Sequence, residues 1–210
     1  MTKKERVLAL RELLDKAYPE VKCSLNYTTP VEMLIATQLS AQCTDARVNI
    51  VTEKLFERYK SAEDFANADL EELQEYIKSA GFYKNKSKNI IACCKRLVEV
   101  YCGEVPDTME ELLTLPGTGR KTANLVLGDI FGKPAVVVDT HCMRLARRIG
   151  LTKEEEPAKI EMDLKKIVPE DYQLRLCHQF VYHGRAVCTA RKPKCEECPI
   201  ASVCKRVGVK

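Results

Sequence analysis

Apolar residues recur at helical spacing along almost the whole chain, and that period restricts the fold more than any other feature. Val7, Leu10, Leu13 and Leu14 form one stripe, ending near Pro19, and Val48, Val51, Leu55 and Phe56 form another. Only Ala135–Val138 reads as a strand, and one four-residue run cannot build a sheet. The expected fold class is therefore all-α. Start and stop signals divide the pattern. Pro30 follows Thr29 at a tolerated first-turn position, Thr44-Asp45 opens a third helix, and Ser61 and Asp69 cap two more, the second stopped by Gly81. Further helices are expected over Ser87–Tyr101, from a Thr108/Glu111 capping box to Leu115, and from Thr118-Gly119 to Phe131. Asp139–Ile149, Pro157–Ile167 and Tyr172–Val187 complete the set, and Gly132-Lys133-Pro134 marks the best break between two lobes.

Cysteine usage adds a second constraint. The chain has 11 cysteines, an odd number, and four fall at a close spacing: Cys188, Cys195, Cys198 and Cys204. The opening MTKKERVLALRELL is charged from its second turn, unlike a secretory signal, so a reducing cytoplasm is expected and clustered thiols there favour metal over disulfides. Zinc sites commonly pair C-x2-C knuckles and this quartet has one such pair; iron–sulfur clusters accept irregular spacing, so both metals stay open on spacing alone. The other seven (Cys23, Cys43, Cys93, Cys94, Cys102, Cys142, Cys177) read as small apolar residues of buried helices. No apolar run is long enough to span a bilayer.

Charge sits with the quartet. Net charge is +4, yet Gly184–Lys210 carries seven basic residues against Glu196 and Glu197, so the chain before it sums to −1. A basic face beside a metal-clamped loop suits a phosphate-bearing partner. Leu115-Pro116-Gly117-Thr118-Gly119 points the same way. It joins two helices through a glycine turn, and the N–H groups opening the second helix, with its positive dipole end, make an anion site that runs into Arg120-Lys121.

Leu115–Ala123, in sequence LPGTGRKTA, resembles the helix-hairpin-helix of DNA glycosylases, and Val138-Asp139-Thr140-His141 resembles the aspartate segment of that superfamily. The cysteine spacing and Ser40–Asp45 (SAQCTD) are similar to its endonuclease III branch, so the likeness runs from about Thr29 to Cys204. It implies a two-lobed fold: a six-helix barrel over 22–132 holding the hairpin (about 108–131), an iron–sulfur lobe over 1–21 and 133–210 with its loop at 188–204, and a DNA cleft between them. It implies one 4Fe–4S cluster on the four cysteines, which leaves zinc a small share.

The resemblance further implies a monomeric DNA repair enzyme of the bacterial cytoplasm or nucleoid, acting on duplex DNA with damaged bases or abasic sites. It removes oxidised or ring-saturated pyrimidines and cuts the strand by β-elimination. Lys121 is the expected nucleophile; its pKa must fall, aided by the helix dipole and by Arg120, and partial burial would push the same way. Asp139 is the expected catalytic carboxylate as well as a helix cap. Gln42 matches the residue that fills the gap left by a flipped nucleotide, and Phe82 falls where relatives carry an apolar wedge, often leucine. Leu115, Gly117, Gly119 and Arg120 of the hairpin, with Arg191, Lys192 and Lys194 of the cluster loop, are the expected DNA contacts. His178 and His183 are expected to pack or cap, and His141 to support Asp139.

Three other readings compete. A monofunctional adenine-mismatch glycosylase has no need of Lys121 and carries an extra recognition domain. A non-catalytic DNA-binding module would keep the glycines and cysteines but has no use for Lys121 with Asp139. An electron-transfer protein needs the quartet alone.

Overall fold

A computed structural model describes residues 1–209. Their regular structure is helical, without a strand among the described residues. In chain order the α-helices are α1 (Lys3–Ala17), α2 (Pro30–Leu39), α3 (Asp45–Arg58), α4 (Ala62–Ala66), α5 (Leu70–Ile77), α6 (Tyr83–Tyr101), α7 (Met109–Leu112), α8 (Arg120–Asp129), α9 (Thr140–Ile149), α10 (Pro157–Ile167) and α11 (Gln173–Ala186). No helix among the described residues is long and apolar enough to cross a membrane. The chain divides into two compact units, Cys23–Gly132 and the pair Met1–Lys22 with Lys133–Lys210.

In the continuous unit, α2 is the core. Met33, Leu34, Ile35, Ala36 and Leu39 are wholly buried, and α3, α6 and α8 pack around the helix. Full burial of each large side chain contributes about 1.5–3 kcal/mol. A capping box fixes where α2 starts: the Thr29 hydroxyl accepts the Glu32 N–H at 3.1 Å and the Glu32 carboxylate accepts the Thr29 N–H at 3.3 Å.

The discontinuous unit packs α1 with α10, and α9 with α10 and α11. Val7, Leu10 and Leu14 turn the apolar face of α1 inward. Polar ties add to it: Asp15 accepts from Arg175 at 2.7 Å and from Gln179 at 2.8 Å, and the Arg6 guanidinium donates to the Val203 carbonyl.

Local expectations shift at five places. Ala135–Val138 forms no strand; its first three residues are buried without regular structure, and the Val137 N–H finds the Cys177 sulfur at 3.2 Å instead of a neighbouring strand. Helix α6 begins at Tyr83, not Ser87, because Phe82 adopts φ 49° and its carbonyl accepts the N–H groups of Asn85 and Lys86, both at 3.1 Å. α7 stops at Leu112 rather than Leu115, and its box is altered: the Thr108 hydroxyl accepts the Glu111 N–H but donates to the Glu111 carboxylate at 2.6 Å. α8 starts at Arg120 and ends at Asp129, inside the expected Thr118–Phe131. Of the seven scattered cysteines, Cys93, Cys94, Cys142 and Cys177 are buried as expected. Cys23 and Cys43 are half-buried, and Cys102 is exposed at the left-handed end of α6.

Candidate functional site

The hairpin between α7 and α8 is held from beneath. Gln38 sits near the end of α2, and its Nε2 donates to the Pro116 carbonyl at 3.1 Å and the Thr118 hydroxyl at 3.2 Å. Gly117 has φ 76°, and a Cβ there would lie 3.0 Å from both Asn89 Cβ and Gln38 Oε1. Gly119 differs. Its φ is −100°, it caps α8 without a side-chain bond, and a Cβ on it would enter open space. Leu115 is 2% exposed, so it packs the hairpin.

Arg120 and Lys121 occupy the first turn of α8, where N–H groups and the positive dipole end face outward. Lys121 is exposed, because burial in α8 begins one residue later at Thr122.

Asp139 lies in the other unit, half-buried, as the cap of α9; one carboxylate oxygen accepts the Cys142 N–H at 2.7 Å. The backbone around it is tied to α11, because Val137 rests on the Cys177 sulfur and the buried Cys142 thiol also bonds to Cys177. One turn on, Arg144 contacts His141 Nδ1 at 3.0 Å and donates to the Gly184 carbonyl at 3.1 Å and the Cys188 carbonyl at 3.0 Å. His141 is thus tied through Arg144 to Gly184 and Cys188. Gly184 makes room for it: a Cβ there would stand 2.5 Å from His141 Nδ1.

Cys188, Cys195, Cys198 and Cys204 line one cavity with Leu145, Ile149 and Ile200. Burial pushes the Cys198 and Cys204 thiols up, and charge on the neighbouring cysteines adds to it. Four thiolates so placed need cationic charge among them, which a metal group supplies. Among the described residues no three His, Cys, Asp or Glu side chains converge on a site for one ion. A lone zinc wants its sulfurs about 2.3 Å from one point; four thiols spread around a cavity suit a cluster that takes one thiolate per iron. The donor set fits that group.

Its surroundings are built to match. Arg148 donates to Cys188 Sγ at 3.3 Å and to the Thr189 and Ala190 carbonyls at 2.7 and 2.8 Å, and the Arg206 N–H meets Cys204 Sγ at 3.4 Å. His183 is wholly buried, with Nε2 3.5 Å from Cys198 Sγ and Nδ1 3.0 Å from the Tyr18 hydroxyl; burial pushes its imidazole down to about 4. It packs, as expected, but against a cysteine of the quartet, which its position in the sequence did not disclose. Arg191, Lys192 and Lys194 are exposed between the first two cysteines.

Gln42 and Phe82 share an unusual backbone. Gln42 is exposed at φ 54° in a turn closed by the Cys43 N–H on the Ser40 carbonyl at 3.1 Å, and Phe82 is 64% exposed at φ 49°. Left-handed backbone costs a non-glycine residue about 1–2 kcal/mol. Both side chains thus stand out on strained turns, and a core role for Phe82 is removed.

Comparison with known proteins agrees with this arrangement. Residues 35–170 match the HhH-GPD superfamily of base excision DNA repair proteins, and residues 188–204 match the iron–sulfur binding domain of endonuclease III. Endonuclease III of Synechocystis sp. is 53% identical over 97% of this chain and 93% of its own length. The Bacillus subtilis enzyme is 45% identical over 90% and 86%. A solved structure of a trapped endonuclease III–DNA covalent intermediate superposes with a TM-score of 0.92 at 42% identity, covering 98% of this chain and 97% of that one. The chain therefore belongs to the endonuclease III family of HhH-GPD base excision repair proteins and holds a single 4Fe–4S cluster.

Proposed function

We propose that this chain removes oxidised or ring-saturated pyrimidines from duplex DNA and then cuts the strand 3′ to the abasic site through a lysine imine. The observation that carries the reading is the exposed Lys121 amine on the first turn of α8, directly after a bare glycine cap. A phosphate seated on the N–H groups of that turn brings the adjacent sugar to the amine. Gly119, whose Cβ position is open, lets the DNA backbone come close, and Arg120 adds charge.

The chemistry follows from the side chains. The Lys121 nitrogen, as the free amine, bonds to C1′ while the glycosidic bond breaks and the base leaves with the electron pair. Positive charge builds on the sugar, and the Asp139 carboxylate stabilises it. Loss of the nitrogen's proton and ring opening give the imine. Removal of a C2′ proton then expels the 3′ phosphate, and water hydrolyses the imine to return Lys121. Asp139 serves the proton transfers, its rotamer fixed by the Cys142 N–H. DNA itself desolvates the amine, which the protein alone leaves in water. A related enzyme has been trapped as a covalent intermediate on DNA, which supports this chemistry.

Gln42 and Phe82 enter the helix at the vacated base, as gap filler and wedge. Cys188, Cys195, Cys198 and Cys204 bind the cluster, which when bound serves as a rigid cross-link shaping the loop of Arg191, Lys192 and Lys194 against phosphates. We place the protein as a monomer in the cytoplasm with the nucleoid. Borohydride reduction on duplex DNA carrying a ring-saturated pyrimidine tests the nucleophile. The wild type becomes covalently attached, and Lys121→Ala loses both attachment and strand cleavage; retention of both would refute the assignment.

A further inference from the structure

Lys86 is a nearly buried lysine: it is 7% exposed on α6, in a protein whose other lysines are largely at the surface. Its Nζ donates to the Leu39 carbonyl at 2.8 Å and to the Ala80 carbonyl at 2.9 Å. Those carbonyls belong to two segments far apart in sequence. Leu39 ends α2, three residues before Gln42, and Ala80 lies two residues before Phe82. The backbone N–H of the same lysine donates to the Phe82 carbonyl at 3.1 Å. Burial pushes the ammonium down from its ordinary value, opposed by the Cys43 sulfur beside Gln42.

One side chain thus satisfies carbonyls at the base of both strained turns. A neutral side chain would leave both buried acceptors without their donor, and the two turns would lose their common anchor. Gln42 and Phe82 must enter one gap in one duplex, so their spacing matters more than the freedom of either turn. We propose that Lys86 is a positioning residue that holds the Gln42 and Phe82 turns in register for joint insertion into DNA. This rests on reading Gln42 and Phe82 as the inserting residues, and the test separates the two claims.

Single-turnover excision of a ring-saturated pyrimidine from duplex DNA is compared among wild type, Lys86→Met, Gln42→Ala/Phe82→Ala and the triple variant. Borohydride trapping on single-stranded abasic DNA, which has no stack to enter, provides the reference rate for each. The expected result is a fall of at least tenfold in the duplex-to-single-strand ratio for Lys86→Met, with Lys86→Arg recovering part of it. The triple variant should be no slower than the double. A Lys86→Met ratio within twofold of wild type, beside an impaired double variant, overturns the positioning role. So does a triple variant whose loss equals the product of the separate losses, or a Lys86→Met loss of equal size on both substrates. If the double variant matches wild type, the insertion reading of the turns fails, and the role of Lys86 fails with it.

Discussion

Gly117 and Gly119 stand two residues apart in one hairpin, yet alanine should do opposite things at the two positions. At Gly117 alanine must hold φ near 76°, which costs about 1–2 kcal/mol. Its Cβ also meets Asn89 Cβ and Gln38 Oε1 at 3.0 Å. Asn89 Cβ is fixed to a helix backbone, so the Gln38 amide gives way, and its bonds to Pro116 and Thr118 weaken at about 1 kcal/mol each. Restriction of the unfolded chain returns about 0.4–1 kcal/mol. Gly117→Ala should therefore lose about 2–3 kcal/mol of stability.

At Gly119 the backbone suits any residue and the space is open. Alanine gains about 0.4–1 kcal/mol through the unfolded state and loses a comparable amount as a poorer N-cap. Stability should stay within about 0.5 kcal/mol of wild type. DNA affinity should fall roughly tenfold or more, because a methyl group displaces one charge-assisted contact of about 1.5–3 kcal/mol between phosphate and the helix end. Urea unfolding at unchanged slope measures the first quantity, and titration of an abasic-site duplex at fixed salt measures the second. Equal destabilisation by the two substitutions, or unchanged DNA affinity in Gly119→Ala, would refute the division of labour between them.

Two further outcomes test other parts of the molecule. Arg191→Gln/Lys192→Gln/Lys194→Gln should flatten the dependence of log affinity on log salt by about 2.7, since each lost phosphate contact removes about 0.9 from the slope; an unchanged slope would take the loop off the DNA. For Asp15, burial pushes the carboxyl up, but hydrogen bonds from Arg175 and Gln179 and the charges of Arg175 and Arg11 outweigh it and hold it below its ordinary value. Its stabilisation is then complete above the unfolded value of about 3.9 and is lost as pH falls through the folded one. Acid titration of Asp15→Asn should show a shallower loss of stability below pH about 4 than wild type.

Much of the fold is legible in the sequence because its signals are local. Thr29, Thr44, Ser61, Asp69 and Asp139 each accept a backbone N–H three residues on, as their residue types announce. The start of α6 is illegible for the complementary reason. Its cap is an aromatic in left-handed backbone with no side-chain bond, a conformation that residue type disfavours. Ala135–Val138 has the composition of a strand, but a strand is defined by its neighbour, and here the neighbour is a cysteine sulfur on α11. Lys121 and Asp139 stand out through motif, whereas Gln38, Lys86 and Arg144 pass as ordinary polar residues of amphipathic helices. Each has a carbonyl of a distant segment among its partners, and spacing along one helix says nothing about those.

The division of the chain carries a consequence for how the protein is made. Residues 23–132 are contiguous, so this unit is fully available to a growing chain once Gly132 has emerged. The other unit is not. Helix α1 precedes the contiguous unit in the chain, yet Asp15 waits for Arg175 and Arg6 waits for Val203, so α1 finds these partners only after the contiguous unit has been made. During that interval the apolar face of Val7, Leu10 and Leu14 has no native cover from its own unit. The loop of Cys188–Cys204 is itself completed only after α11. Iron delivery and the docking of α1 are thus brought together in time, and a shortage of iron should leave a chain with its repair hairpin folded and its first helix still exposed to chaperones and proteases.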